Sequence, residues 1–230
     1  AIQREQITGP GDRTNLELAN ALSWISRIHN NLGEPARAWL ALEQALQLVS
    51  ALRRETDDNQ LLQRETNLHY LLGMNSRYRD DPVRARQEFD QALTLARLDV
   101  RNDPSQPRRQ AMLARISFEW VRARASEGKH VDEVLAQGRA ALSGLPEGAL
   151  ATSERLSLEA RACLAQIGRT PAAALAECRQ VVWPALWKAA RGDFGLLELA
   201  AELATAMASQ QLDGPSEIEM REILRHLTEL

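Results

Sequence analysis

The sequence predicts an all-α fold, a right-handed solenoid of about five antiparallel helical hairpins, on three observations. Helix formers, Ala and Leu above all, dominate a chain that is 44% hydrophobic, 26% charged and only 4% aromatic. One stretch is a copy of another: "EPARAWLALEQALQL" (34–48) laid over "DPVRARQEFDQALTL" (81–95) matches Pro35/Pro82, Arg37/Arg84, Ala38/Ala85, Gln44/Gln91, Ala45/Ala92, Leu46/Leu93 and Leu48/Leu95 at a constant offset of 47 residues. The third observation is a short connection. Only "RDD" separates "QRETNLHYLLGMNSRY" from the second copy, which makes the two helices antiparallel neighbours.

The elements follow in order. A flexible segment, 1–13, precedes a single helical repeat domain, 14–230. Its hairpins span about 14–56, 60–102, 107–144, 151–190 and 194–230, each a periodic apolar pattern broken by turn residues. In the second, Asp80 or Asp81 caps a helix, Pro82 suits its first turn, and Ala85, Phe89, Ala92 and Ala96 share one apolar face. The third turns at Gly128 and the fourth at Ile167-Gly168, with Thr170 as cap and Pro171 opening the next helix. The fifth turns at "DGPS" (213–216), while "ETDDNQ", "RNDPSQP" and "SGLPEGALATS" are the returns between hairpins.

Composition excludes several classes. No stretch approaches 18 consecutive apolar residues, and "AIQREQITGPGDRTN" lacks the apolar core of a signal peptide. A chain that starts at Ala is expected to be part of a larger protein. Net charge is −3 with a pI near 5.9, so no global field attracts nucleic acid or an anionic membrane. Lys129 and Lys188 are the only lysines, a bias that GC-rich coding accounts for.

At Leu72-Gly73, Ala85-x3-Phe89 and Ala92 the second hairpin resembles a tetratricopeptide repeat, whose pattern is W-x2-L-G-x2-Y, then A-x3-F and a later Ala. His69 and Ser76 stand in the Trp and Tyr places, and no Pro closes the second helix before Pro104. The first hairpin keeps Ala38, Leu42 and Ala45 but has Ile25-Ser26 for Leu-Gly. A period of 47 against about 34 implies helices about 6 residues longer each. HEAT and armadillo arrays are the structural alternative. The D-N/P-rich returns are also similar to helical C-terminal or sensor regions of bacterial Ser/Thr protein kinases and of membrane-anchored regulators.

No catalytic constellation stands out, so an enzyme is not expected, and neither is a cofactor. His29, His69, His130 and His226 lack any i, i+3 or i+4 partner that would make a metal site. Asp57-Asp58 and Asp80-Asp81 sit at predicted turns, where capping accounts for them. Cys163 and Cys178 lie symmetrically about the fourth turn, at about the same height on antiparallel helices, so the geometry allows a disulfide; an unbridged pair of small core residues is the alternative.

The tetratricopeptide resemblance implies a concave, first-helix surface that binds a protein or peptide. Its register selects Asn20, Arg27, Asn67, Tyr70, Met74, Arg77, Arg115, Phe118, Arg122 and Arg155. Five arginines and no acid point to an acidic peptide held by charge-assisted bonds. Trp183 and Trp187 share a face: exposed they form a binding or dimerisation hot spot, buried they are core. Pro184 either kinks that helix or starts a new one. The expected function is therefore a protein-interaction scaffold, the regulatory or sensory part of a larger bacterial signalling protein; the alternative is a small-molecule sensor with a pocket between the first helices and the C-terminal hairpin. Expected partners are proteins or peptides, with a homo-oligomer allowed, no nucleic acid and no membrane insertion. A periplasmic home is expected over a cytoplasmic one.

Overall fold

A computed structural model describes residues 10–56, 58–124, 128–167, 178–190 and 194–209. The described residues form helices that pack on their neighbours, with no strand among them. None of these helices is long and apolar enough to cross a membrane. The chain divides into two compact units, Ala1–Arg109 and Gln110–Leu230.

The first unit contains α1 (Pro10–Asn31), α2 (Pro35–Glu55), α3 (Asn59–Tyr78) and α4 (Pro82–Asn102). Helix α1 starts inside the segment expected to precede it, where Asp12 in the first turn complements the positive end of the helix dipole. The turns of the two hairpins are the same object 47 residues apart. Gly33 donates to Asn30 O at 3.0 Å and Glu34 to His29 O at 2.8 Å; Asp80 donates to Arg77 O at 3.1 Å and Asp81 to Ser76 O at 2.9 Å. Both turns require a left-handed residue, Gly33 at φ 71° and Asp80 at φ 55°. Asp81 is the cap, its carboxylate accepting from Arg84 N at 3.0 Å, and Asp58 caps α3 by accepting from Gln60 N at 2.7 Å. Asp57 lies outside the described residues.

Ala85, Phe89, Ala92 and Ala96 are buried together on α4, as are Ala38, Leu42 and Ala45 on α2. Leu42, Ala45, Val49 and Leu52 of α2 share a core with Leu61, Leu68 and Leu72 of α3, so α2 covers one face of α3.

The division falls within α5 (Pro107–Ala123), and the second unit continues with α6 (Gly128–Ser143) and α7 (Thr152–Gln166). The backbone then winds as a π-helical segment, Cys178–Val182, into α8 (Trp183–Ala190), followed by α9 (Phe194–Ser209). Helix α6 packs on α5 where Gly138 meets Phe118: a Cβ at Gly138 would stand 2.8 Å from that ring. Leu164, Leu186, Leu197, Leu203 and Met207 join α7, α8 and α9 into one core. Pro184 is the second residue of α8, directly after the π-helical segment, so the winding widens where a residue without a backbone donor enters a continuous helical stretch. Gly168, Thr170, Pro171 and the "DGPS" turn lie outside the described residues.

Candidate interaction surface

Two polar bridges tie α1 to α3. Asn75 Nδ2 donates to Asn30 Oδ1 at 2.8 Å, and Arg64 donates to Asn20 Oδ1. Five of the residues selected from the sequence belong to these two helices and reach solvent, the half-buried Asn20 among them. Arg27 is exposed, its guanidinium 4.8 Å from the centroid of the Trp24 ring. Asn67, Met74 and Arg77 are half-buried, with Arg77 Nη1 at 3.9 Å from Met74 Sδ.

The other selected residues are placed differently. Tyr70 is buried, its ring centroid 6.3 Å from that of Phe89, so it belongs to the core of the second hairpin. Phe118 is 0% exposed, packed on Gly138. Neither presents a surface to a ligand. The same register position is covered in both places, Tyr70 by Phe89 of α4 and Phe118 by Gly138 of α6.

In the second unit the selected arginines meet acids from outside the selected set. Arg115 Nη2 lies 3.4 Å from Glu154, and Arg155 Nη2 donates to Leu145 O at 3.2 Å with Glu159 at 4.0 Å. Arg122 pairs with Glu119 at 3.1 Å and with Glu202; Arg161 also pairs with Glu119. Glu119 is 0% exposed, so both guanidinium groups balance a carboxylate that has lost its water. The arginine-rich, acid-free character inferred from the selected positions therefore does not extend to this unit. Trp183 and Trp187 stack in the core, 6.1 Å between centroids and 6° between planes, so they are not an exposed hot spot.

The histidines serve local pairs. His29 Nδ1 lies 2.7 Å from Glu34 Oε2, and that bond holds the Glu34 carboxyl below its ordinary range. His69 Nδ1 lies 2.7 Å from Glu88, which also holds Arg84 Nε at 2.9 Å. His130 meets the Trp120 ring edge-on, and His226 lies outside the described residues. Among the described residues no group of three His, Cys, Asp or Glu is gathered as a metal site would need. Asp99 is buried beside Arg109 at 3.3 Å and Gln63 at 3.5 Å; burial pushes its carboxyl up despite the guanidinium. Cys163 and Cys178 are joined in a buried disulfide, 5.7 Å between Cα atoms, tying α7 to the π segment.

No protein family, curated protein or solved structure matches the chain. Its interaction surfaces are therefore read from its own residues. Among the described residues a run of exposed apolar side chains lies outside the selected set: Leu18, Trp24, Ile25 and Ile28 of α1, and Leu32 one residue past its end. The spacing of these residues was the available signal. Leu18, Ala21, Ile25, Ile28 and Leu32 alternate three and four residues apart.

Proposed function

We propose that the chain is a protein-interaction module of tetratricopeptide-like, right-handed solenoid type, which holds an acidic peptide segment on the α1–α3 side of its first unit. The observation that supports this reading is the bridged pair of first helices, with Arg27, Asn67, Met74 and Arg77 reaching solvent along it. Guanidinium groups suit carboxylates because each offers parallel donors to both oxygens, while Asn67 serves a peptide backbone and Met74 adapts to an apolar side chain. The identical turns at Gly33 and Asp80 support a repeating architecture built on a 47-residue unit.

The place of such a module in a larger bacterial signalling protein, as its regulatory or sensory part, rests on the resemblance of its returns to those of kinase and sensor regions. The Cys163–Cys178 bridge supports an oxidising compartment, the periplasm.

A fluorescent oligo-glutamate peptide titrated against the protein tests the reading. Saturable binding that weakens as salt rises from about 0.05 M to about 0.5 M is expected. Arg27→Ala with Arg77→Ala should weaken it about tenfold or more. Absence of binding, or equal affinity in that double variant, overturns it.

A further inference from the structure

We infer that α1 is a self-association surface, and that a second copy of this chain covers it by packing its own α1 antiparallel against the first. The inference does not rest on the peptide-binding reading, since its seam excludes Arg27, which touches only Trp24 at the edge, and it is read by mass rather than by ligand binding.

The register of the repeat says what kind of object belongs on this face. At the 47-residue offset, Ala21 and Ile25 of α1 correspond to Leu68 and Leu72 of α3. Those two leucines are buried, in a core shared with Leu42, Ala45, Val49 and Leu52 of α2. On α3, then, a helix covers this face. On α1 the same face carries Ile25 at 41% and Ile28 at 57% exposure, and Leu32, one residue past the helix, is 67% exposed.

The spacing selects the occupant. Leu18, Ala21, Ile25, Ile28 and Leu32 fall within about 80° of arc on the helix, the narrow seam of a two-helix coiled coil rather than the broad face of a globular core. Laid antiparallel on itself about Ser23, the seam is complementary layer by layer. Leu18 meets Ile28, the small Ala21 meets Ile25, and Leu32 meets Thr14. The flanks agree: Glu17 comes near Asn31 of the other copy and so meets no like charge, and Trp24, 63% exposed, approaches its own equivalent near the two-fold axis. Two-fold packing of one patch on itself is the commonest way in which chains associate. A single helix pair about 33 Å long sits at the small end of stable interfaces, so a dimer in exchange with monomer, at about 1–100 µM, is expected.

Sedimentation velocity of the whole chain from about 1 µM to about 1 mM provides the test, with Ile28→Glu and Leu32→Glu as variants whose folding is checked by circular dichroism. A shift from monomer to dimer mass with concentration, shifted at least tenfold upward in either folded variant, is the expected result. Register is read by mild oxidation of cysteine variants. Leu18→Cys mixed with Ile28→Cys should cross-link between chains, while each alone should not. A monomer throughout overturns the inference, as do a dimer indifferent to both glutamates and homodimeric cross-linking of Leu18→Cys alone, which reports a parallel pair.

Discussion

Phe89 of α4 lies over Gly73 of α3 so closely that a Cβ on Gly73 would stand 2.7 Å from the ring. The first hairpin solves the same contact with other residues. At the same offset Ser26 replaces Gly73 and Leu42 replaces Phe89, and both are buried. A smaller residue on one helix thus accompanies a larger one on the other, as a close-packed interior requires.

This relationship predicts a sign reversal. Gly73→Ala alone should lower the stability of the protein by about 1–3 kcal/mol, since overpacking outweighs the gain of about 1 kcal/mol that Ala brings to a helix interior. In a Phe89→Leu background the same change should stabilise, because Leu42 shows that Leu leaves room for a Cβ. A double-mutant cycle in urea reads the coupling, and additivity of the two changes would contradict the packing argument.

Backbone conformation at the turns gives a second prediction. Asp80 holds a left-handed conformation that costs an L-residue about 1–2 kcal/mol, whereas Gly33 holds it without that cost. Asp80→Gly should therefore raise the urea midpoint by the equivalent of about 0.5–1 kcal/mol and Gly33→Ala should lower it by about 1 kcal/mol. Equal effects of the same sign would show that the turns are not equivalent.

The helical class, the first four helices and the burial of Ala85, Phe89 and Ala92 were legible because a copied pattern exposes the positions that packing constrains. The cap at Asp81 was legible because Asp before Pro has a local chemical reason to start a helix. The candidate surface was less so. Arg122 is matched by Glu202 from 80 residues away, a partner that no spacing within a helix announces. Tyr70 and Phe118 share a register position whose burial comes from the facing helix, under Phe89 and against Gly138, and spacing along their own helices does not announce it. The seam on α1 was in plain view, but a 3-4 spacing of apolar residues reads equally as a buried face until burial separates the two.

Glu119 makes the second unit sensitive to a single charge. Removing it by Glu119→Ala would leave Arg122 and Arg161 without a buried carboxylate they share, at a cost of about 3–5 kcal/mol. Chemical denaturation followed by tryptophan fluorescence measures this, and a loss under about 1 kcal/mol would mean that water reaches the site.

The disulfide constrains the unfolded chain more than it adds to the folded contacts. Its ends are 15 residues apart, a loop whose closure is worth about 3 kcal/mol. Replacing both Cys163 and Cys178 by Ala keeps a small apolar residue at each buried position. The second unit should then unfold at lower denaturant by that amount, and a reducing agent should do the same to the native protein but nothing further to the variant. A variant as stable as the oxidised protein would show that the closed loop is worth little.

Asp99 and Glu34 should push the pH dependence of stability in opposite directions. Burial raises the Asp99 carboxyl above its ordinary 3.8, with Arg109 offsetting only part of that, so the folded state holds the proton more tightly than the unfolded one. Proton uptake therefore favours folding, and the stability of the native protein relative to Asp99→Asn should rise as pH falls from neutral through the raised value toward 3.8. For Glu34 the bond to His29 lowers the carboxyl below 4.5. Its contribution is present above 4.5 and should be lost as pH falls below that, so the native protein should lose ground to Glu34→Gln over the same acid range. Urea midpoints of the three proteins between neutral pH and pH about 3 separate the two trends. Parallel curves for native protein and Asp99→Asn would show that the buried carboxyl is not held protonated any more readily than in the unfolded chain.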